Sequence, residues 1–342
     1  MATYYVCPVT GDDTLNDGLS TTTPFATLSK ALSLVTSADD VVCRHTNTPD
    51  ETPASSIVVP DVSGSSIIEN GTICVIGVNS SWVEDGTSYV LDGSLIADRI
   101  LYTYGALREY RNLKFTNSQY DGVLGASSTN NNTFINCQFT NNGNYGFGGN
   151  SSGGSHQFVN CLFENNGTGC RTSNLEGKYL FCTFRNNAAD GLYLYTNTSY
   201  GTIIDKCLFF GNGTHQLNVQ YGFCHVTDCV LHGGLYGIYA GSNNTRQSLY
   251  LGNRVTGYST YGLRMISTTG RNNRLWGYNF VYSDVEGSLN YSTTYTPRRL
   301  FLPDGTDTNL YTGTVGYVDA ANGNYNLTSD ATMRRVPITL PS

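Results

Sequence analysis

A short pattern that recurs every 21 to 26 residues limits the fold of this sequence more than any other feature. Its clearest copy is TFINCQFTNN at residues 133–142, which is followed by Gly146 and Phe147. Aligned on the column of Cys137, the copies fall at residues 113, 137, 161, 182, 207, 229, 253 and 279. A repeat of this length is typical of a solenoid, in which each copy forms one coil and stacks on the next.

Within a copy, the residues alternate as they do in a β-strand. Cys137 and Phe139 are two positions apart, with the polar Gln138 between them. This spacing places both side chains on one face of a strand. An Asn-Asn or Gly-Asn turn follows, and a glycine such as Gly146 opens a second strand. No copy has room for a helix of ten residues, so the sequence predicts parallel coils of two or three short strands and excludes leucine-rich, ankyrin and other helical repeats.

Stacked coils place equivalent residues above one another at intervals of about 4.8 Å. The sequence therefore predicts ladders of like side chains inside the solenoid. The core ladders are Cys137, Cys161, Cys182, Cys207 and Cys229; Phe115, Phe139, Phe163, Phe184, Phe209 and Leu231; and Val123, Phe147, Cys170, Leu192, Ile238 and Leu263. A turn ladder of Asn142, Asn166, Asn187 and Asn212 is predicted to join coils through amide hydrogen bonds.

Over residues 70–290 this pattern resembles the right-handed parallel β-helix of the pectate-lyase-like superfamily. In character it is similar to β-helix proteins of phage and bacterial virions and to those that act on polysaccharides. The resemblance implies an all-β fold, a right-handed parallel β-helix (solenoid) with an N-terminal helical cap and an irregular C-terminal cap. It does not assign an activity, because this fold hosts lyases, hydrolases, epimerases, virion spikes and adhesins.

The regions outside the regular repeats predict two caps. We expect an N-terminal cap at residues 1–40, the β-helix at 41–290 and a C-terminal cap segment at 291–342. Phe25, Leu28, Ala31 and Leu32 have helical spacing, which predicts a short helix over the first coil. The acidic loop from Asp12 to Asp17 could bind calcium, although Asx turns in a solvated loop explain it more simply. No other cofactor or metal is predicted.

The composition of the chain limits which partners it can bind and in which compartment it can fold. The net charge is −7 with no cluster of Lys or Arg, which argues against a nucleic-acid partner. No apolar run reaches membrane-spanning length, and the first residues lack the features of a secretory signal peptide. The ten cysteines are interpreted as core thiols of a chain that folds in a reducing cytoplasm. The location predicted from these features is a virion or the extracellular space.

The predicted ligand-binding residues form a column that points outward after the second-strand glycine. They are Arg171, Tyr193, Tyr195, Asn218, Tyr239 and Arg264. Tyrosine rings stack on the apolar faces of sugars, and a guanidinium pairs with a carboxylate or sulfate. Two alternatives stay open: the column is a subunit interface, or it consists of ordinary exposed strand residues.

Another column is also predicted to point outward from a strand. Its members are Asn112, Asn136, Asn160, Phe181, Lys206 and Asp228, and Lys206 is expected to pair with Asp228. Candidate groups for chemistry are scattered: Lys178, Lys206, His225 and His232 as bases, Arg185 and Arg246 as neutralising cations, Asp205 and Asp228 as carboxylates. The signatures of polygalacturonases and of pectate lyases are absent. No catalytic residue is assigned, and whether the chain is an enzyme is left open.

Two functions fit these observations. The first is a virion-associated structural protein or adhesin (a phage tail spike, a tail fibre or a capsid decoration) that binds surface glycans without cleaving them. It would be a homo-oligomer, a trimer by preference, in contact with other virion proteins. The alternative is a polysaccharide lyase, epimerase or depolymerase on the same scaffold. Neither function involves nucleic acid or a membrane span.

The cysteine ladder supplies a first test. If Cys137, Cys161, Cys182, Cys207 and Cys229 are core thiols, alkylation under denaturing conditions without reductant should label all five, as read by mass spectrometry. Finding them paired in disulfides would reverse the argument about the folding compartment.

Overall fold

The structure is a computed structural model of the chain. It describes residues 2–35, 40–45, 51–59, 73–94, 98–103, 108–125, 131–149, 155–173, 176–195, 201–221, 223–243, 249–265, 280–285, 289–291, 317–319 and 324–327. Arg246 and most of the predicted C-terminal cap lie outside these residues. The chain divides into two compact units, Met1–Lys178 and Tyr179–Ser342.

The first unit is built of short strands and a helix. Its elements are β1 (Thr3–Val6), α1 (Leu28–Leu34), β2 (Asp40–Arg44), β3 (Ile57–Val59), β4 (Ile73–Val78), β5 (Tyr89–Asp92), β6 (Leu101–Thr103), β7 (Arg108–Arg111), β8 (Leu113–Thr116), β9 (Val123–Gly125), β10 (Asn132–Ile135), β11 (Gln138–Thr140), β12 (Tyr145–Gly149), β13 (Ser155–Val159), β14 (Leu162–Glu164) and β15 (Thr168–Thr172). The division between the units falls within β16 (Glu176–Leu180).

The second unit continues in the same manner. Its elements are β17 (Thr183–Arg185), β18 (Leu192–Tyr195), β19 (Gly201–Asp205), β20 (Leu208–Phe210), β21 (His215–Tyr221), β22 (Phe223–Thr227), β23 (Val230–His232), β24 (Tyr236–Asn243), β25 (Leu249–Thr256), β26 (Tyr261–Met265), β27 (Phe280–Val285), β28 (Leu289–Tyr291), β29 (Tyr317–Asp319) and β30 (Asn324–Leu327). The last two strands form an antiparallel pair.

In each unit the coils stack into three ladders of parallel strands. In the first unit the first ladder runs β1-β2-β4-β7-β10-β13, the second β5-β8-β11-β14 and the third β3-β6-β9-β12-β15. In the second unit they run β19-β22-β25-β27, β17-β20-β23-β25 and β18-β21-β24-β26-β28. The predicted all-β parallel solenoid is therefore confirmed, with three strands per coil.

The core of each unit is made of the predicted ladders of apolar residues. In the first unit the ring of Phe139 stacks between Phe115 and Phe163, at 5.3 and 4.7 Å between ring centres. In the second unit Phe184 stacks on Phe209 at 4.7 Å. All five rings are fully buried. Each contributes on the order of 1.5–3 kcal/mol relative to an exposed ring, so a shift of register by one residue would be costly.

The cysteines are small core residues, as predicted. All ten are free thiols, and nine of them are buried. The thiol of Cys161 donates to the carbonyl of Phe134, and that of Cys207 donates to the carbonyl of Tyr179. These contacts satisfy a weak donor inside the coil. Burial together with the neighbouring Cys182 and Cys229 raises the pKa of the Cys207 thiol, which keeps it protonated.

The turn ladder of asparagines is also present. Asn142 donates its amide to Asn166 Oδ1 at 3.0 Å, and Asn187 does the same to Asn212 at 2.8 Å. All four side chains are buried. In the first unit, the Asn166 amide also donates to the carbonyl of Phe139. The ladder therefore satisfies turn carbonyls that the coil removes from water.

The second column that the sequence predicts to point outward from a strand lies instead at a corner between two strands. The φ angles of its members are positive, from 52 to 57°; the residues are Asn112, Asn136, Asn160, Phe181, Lys206 and Asp228. The strand assignment is wrong because this left-handed conformation turns the chain between two strands. Asparagine adopts it readily, whereas Phe181 and Lys206 carry a cost of about 1–2 kcal/mol each. Asn112 is also buried, and not exposed as the column predicts.

The expected ion pair between Lys206 and Asp228 is not formed. The ammonium of Lys206 lies 3.4 Å from the carboxylate of its chain neighbour Asp205 and over the ring of Phe181. Both partners keep substantial exposure, so the pair adds little to stability.

The N-terminal segment closes the first coil with a helix, as predicted. Thr27 caps α1 by accepting from Lys30 N–H, and Leu28, Ala31 and Leu32 are buried. Strand β1 precedes the helix and pairs with β2, so part of the segment assigned to the cap already belongs to the first ladder.

The acidic loop is held by hydrogen bonds of its own. Asp12 Oδ1 accepts from Thr14 N–H and Leu15 N–H, and Asp17 Oδ1 accepts from Leu19 N–H. These are the Asx turns that the sequence analysis gives as the simpler explanation of the acidic loop. Binding of calcium by the loop stays an untested expectation.

Glu51 is a buried carboxyl group that joins the cap to the coils. Its Oε2 accepts from Leu28 N–H at 3.0 Å and from Tyr89 Oη at 2.9 Å. The residue is 6% exposed. Burial raises the pKa of Glu51 from 4.5 to about 7, against the effect of these donors, which favour the charged form.

The raised pKa of Glu51 predicts a loss of stability as the pH rises. Below pH 4.5 the group is protonated in both the folded and the unfolded chain. Between pH 4.5 and 7 only the folded chain holds the proton, so the free energy of unfolding should fall by on the order of 3 kcal/mol. Glu51→Gln stays neutral and should remove this loss.

Urea unfolding of both proteins across this range measures the effect. The difference between the two curves isolates Glu51, because His156 is common to both. Burial lowers the pKa of His156 to about 3, and that group acts in the opposite direction. Parallel curves for the two proteins would contradict the prediction.

Candidate functional site

The outward column of the third ladder in the second unit contains most of the predicted ligand-binding residues. Tyr193 is in register with Asn218, Asn218 with Tyr239, and Tyr239 with Arg264. Tyr195 follows Tyr193 on the same face, and the two rings stack at 6.4 Å. Their neighbours in the core column, such as Leu192, are fully buried, so the inward and outward sides are as the repeat predicts.

Asn218 differs from the expectation of an exposed residue. It is only 3% exposed, because it is enclosed by polar neighbours on the same face. Its amide donates to Asp190 Oδ2 at 2.8 Å, and its Oδ1 accepts from Gln220 at 2.9 Å. Asn218 therefore holds other side chains in place and does not itself face solvent.

A second outward column lies beside the first, at the corner that opens the third ladder. His215 is in register with Tyr236, and Tyr236 with Tyr261. The residue after this corner is Gly191, Gly237 or Gly262 in three of the four coils. A Cβ atom on Gly237 would lie 2.5 Å from the carbonyl oxygen of Gly262, which shows how closely the coils approach here.

Asp190 and His215 form the polar centre of this face. Asp190 Oδ1 accepts from His215 Nδ1 at 2.7 Å and from the backbone N–H of His215 at 3.2 Å. An aspartate that accepts from Nδ1 selects the tautomer whose Nε2 carries a lone pair. Among the described residues, no group bonds to Nε2. The side chain of His215 keeps 13% of its surface exposed.

Tyrosine rings surround the histidine. The ring of Tyr236 stacks on His215 at 4.9 Å, and that of Tyr239 contacts it at 4.8 Å with a tilt of 54°. Tyr236 in turn contacts Tyr239 at 5.7 Å and Tyr261 at 6.1 Å. Rings packed in this way fix one another, so the face presents rigid aromatic surface.

Arg264 lies over the same rings. Its guanidinium is 5.5 Å from the ring centres of Tyr236 and Tyr239 and 5.9 Å from that of Tyr261. Its Nη1 donates to Tyr236 Oη at 3.0 Å. No carboxylate of the described residues pairs with Arg264.

The first unit contains a related but differently charged cluster. Arg171, the remaining predicted residue, donates to Tyr145 Oη at 2.8 Å and lies 5.4 Å from that ring. Asp121 accepts from Tyr145 N–H and pairs with Arg99 at 2.7 Å. Burial raises the pKa of Asp121, while Arg99 acts in the opposite direction. In this cluster an arginine again lies over a tyrosine ring. The aspartate, however, pairs with Arg99, whereas Asp190 in the second unit pairs with His215.

Sequence reasoning found one column of the site and missed the other. The missed residues are Asp190, His215, Tyr236 and Tyr261. Each stands two positions before a core residue of the third ladder, and this offset is visible in the sequence. In the coil of His215, which the repeat identifies through Cys207, Gln216 replaces the glycine of other copies, so the position of His215 was not marked. Gln216 is fully buried there and exchanges hydrogen bonds with Asn212.

The other candidate catalytic residues are not brought to this face. Lys178 lies in β16, Arg185 in β17, His225 in β22 and His232 in β23. In the described part of the chain, no group of three His, Cys, Asp or Glu side chains is arranged to hold a metal ion. No helix within that part is long and apolar enough to cross a membrane.

The arrangement therefore combines three chemical capacities on one face. The rings of Tyr193, Tyr236 and Tyr239 offer flat apolar surface, Arg264 offers a cation, and His215 offers a proton acceptor. Rings suit the apolar faces of sugars, and a guanidinium suits a carboxylate or sulfate.

Comparisons with known proteins concern the scaffold. A family model described as the right-handed β-helix region matches residues 100–276. The crystal structure of pectate lyase Pel9A is similar with a TM-score of 0.68 and 16% identity, over 100% of this chain and 94% of that one. A rhamnogalacturonan lyase gives a TM-score of 0.45 and 15% identity, over 94% of this chain and 98% of that one. Comparison with curated proteins gives no match.

Removing Asp190 should destabilise the second unit. Asp190→Ala deletes the acceptor of three hydrogen bonds from His215 and Asn218, and it removes the 2.8 Å acceptor of the buried Asn218 amide. We expect a loss of about 1–3 kcal/mol in the free energy of unfolding, measured by urea titration. Asp190→Asn keeps one acceptor oxygen and should cost less. Equal stability of Asp190→Ala and the unaltered chain would show that the cluster is not structural.

Proposed function

Because the chain belongs to the right-handed β-helix family, we propose that it binds an extended polysaccharide along the outer face of the third ladder in its second unit. The binding face consists of Tyr193, Tyr236, Tyr239, Tyr261 and Arg264. A β-helix offers side chains in straight columns, one coil after another, which suits a polymer better than a compact ligand.

One observation carries the proposal: Arg264 is held over three tyrosine rings with no carboxylate partner among the described residues. A cation in this position would be satisfied by an anionic group of the ligand. The rings around it are already packed against each other and against His215, so little side-chain freedom is lost on binding. The proposed ligand is therefore a glycan that carries carboxylate or sulfate groups.

The β-helix fold by itself does not indicate a glycan ligand. Pectate lyase Pel9A shares the fold at 16% identity, and its name concerns that protein. The support for a glycan comes from the residues of the binding face. Ordinary exposed strand residues would not require that a histidine, an arginine and three tyrosines contact one another.

We further propose the setting in which the protein acts. A phage tail spike, tail fibre or capsid decoration would use this face to hold the surface glycan of a host, as a homotrimer attached to other virion proteins. The ten cysteine thiols support folding in a reducing cytoplasm before release. The competing interpretation is that the face is a contact between subunits.

The double substitution Tyr193→Ala and Tyr239→Ala tests binding. It removes two rings from the binding face but no core residue, so the melting temperature should change little. Retention of the protein in affinity electrophoresis through acidic polysaccharides should fall by at least tenfold in apparent affinity, since each ring contributes on the order of 1 kcal/mol. Arg264→Gln should weaken binding to the charged polymers alone.

Phe181→Ala is the matched control. Phe181 is an aromatic residue of the same unit, 53% exposed, at a corner outside the binding face. Its removal should leave retention unchanged. If the double variant instead shifts the assembly toward monomer in light scattering, the face is a subunit interface. A double variant that changes neither binding nor assembly would refute the proposal.

A further inference from the structure

Resting on the homo-oligomer of the proposed function, we propose that copies of this chain meet through the outer face of the first ladder in the first unit. The centre of this face is a single column of outward side chains, named here the apolar column. Pairing in register brings its members together: Tyr5, Val42, Ile76, Arg111, Ile135 and Val159. The binding face, by contrast, belongs to the third ladder of the second unit.

The apolar column departs from the pattern of a sheet face that meets water. Such a face ordinarily carries polar side chains, alternating with the buried ones. Here five of the six members are aliphatic or aromatic, and all six are partly exposed. In the second unit the equivalent position, just before the corner, includes the polar Asp205 and Thr227. A long apolar run on the outer face is therefore a feature of the first unit, and contiguous exposed apolar surface is typical of a contact site.

An aromatic cluster lies at one end of the apolar column. The ring of Trp82 contacts that of Tyr5 edge to face at 5.4 Å, and the guanidinium of Arg44 lies 5.6 Å from the centre of the Trp82 ring. Arg44 is fixed there, because its Nε donates to the carbonyl of Ser80 at 2.8 Å. Tryptophan, tyrosine and arginine are the residue types that contribute most to the affinity of protein–protein contacts. The composition of the face therefore favours a protein as partner.

The backbone holds Trp82 in an unfavourable conformation. Its φ angle is +64°, in the left-handed region that residues with a bulky side chain rarely adopt. Asn79 enforces this turn: its Oδ1 accepts from Ser81 N–H at 2.9 Å and from Val83 N–H at 3.1 Å, and its carbonyl accepts from Trp82 N–H at 3.0 Å. The turn leaves Trp82 partly exposed and Val83 54% exposed. Strain of this kind is concentrated at binding surfaces, which supports a contact role for the turn.

Two observations select another copy of this chain as the partner. Members of the apolar column stand about 4.8 Å apart, and a second copy of the face repeats at the same interval, so that the two columns can pack residue against residue. The charges also match. Arg111 pairs with Glu109, two residues earlier on β7 and on the same side of the strand, and lies 3.7 Å from Glu84. Because both signs occur at the centre of the face, stacked copies can exchange the pair of Arg111 and Glu109 without placing like charges together.

A charge exchange between copies tests this choice of partner. Arg111→Glu leaves two acids on β7, and Glu109→Arg leaves two cations, so each variant repels itself across the proposed contact. We expect sedimentation velocity to show self-association of each full-length variant weakened by at least about tenfold. An equimolar mixture of the two should regain the association of the unaltered chain, an outcome that a structural role within one chain does not produce. A mixture that stays dissociated would overturn the proposal.

A second test removes apolar surface without adding charge. The double substitution Ile76→Gln and Ile135→Gln keeps outward side chains of similar size, so the melting temperature should change little. It should raise the dissociation constant of the assembly by about a hundredfold. Trp82→Ala should act in the same direction. Ile203→Gln is the matched control, since Ile203 is an outward residue of the first ladder in the second unit, 38% exposed, and its change should leave assembly unaltered.

Failure of this inference is distinguishable from failure of the proposed function. Sedimentation measures the contact between copies, and affinity electrophoresis through acidic polysaccharides measures the binding face. A monomeric unaltered chain that polysaccharides retain would overturn the contact alone, as would an assembly that the double isoleucine variant leaves intact. A chain that assembles through this face without retention would overturn glycan binding alone.

Discussion

The parallel hydrogen-bonded pairing of each coil with the next is the constraint on which the rest of the structure depends. It forces equivalent residues into columns, so any side chain must be compatible with copies of itself above and below. Phe139 meets this condition by stacking its ring between Phe115 and Phe163, and Asn142 meets it by donating to Asn166. Because pairing satisfies most backbone groups, the core requires only small or flat apolar residues, and the outer face is free to carry function.

The sequence predicted the interior well because interior columns have strict physical requirements. A buried column tolerates few residue types, so Cys137 and Phe139 recur in recognisable form and reveal the register. The left-handed corner was harder to foresee. Asparagine at such a position is a sufficient signal, but Phe181 and Lys206 occupy the same backbone state in the second unit. In those coils the strand pairs on either side of the turn hold the residue in the left-handed conformation. The residue type alone therefore does not indicate the turn.

The binding face was predicted only in part, for a different physical reason. Strand alternation identifies which residues point outward, and it correctly put Tyr193, Tyr239 and Arg264 in one line. It says nothing about contacts between columns. The pairing of Asp190 with His215 arises from a corner and a strand of consecutive coils, which stand 25 residues apart in the chain. Outward residues also carry no burial requirement, so their columns vary in type and have no repeated letter to find.

The length of the binding face is set by the number of coils, because each column gains one residue with each coil. Each added or deleted coil of the second unit would lengthen or shorten the row of rings and cations by about 4.8 Å, with the contacts of the remaining coils unchanged. An insertion of one residue inside a strand would instead turn the whole row inward. If the proposed polysaccharide is the ligand, duplication or loss of segments of 21 to 26 residues would match the face to longer or shorter stretches of it, without redesign of any single contact.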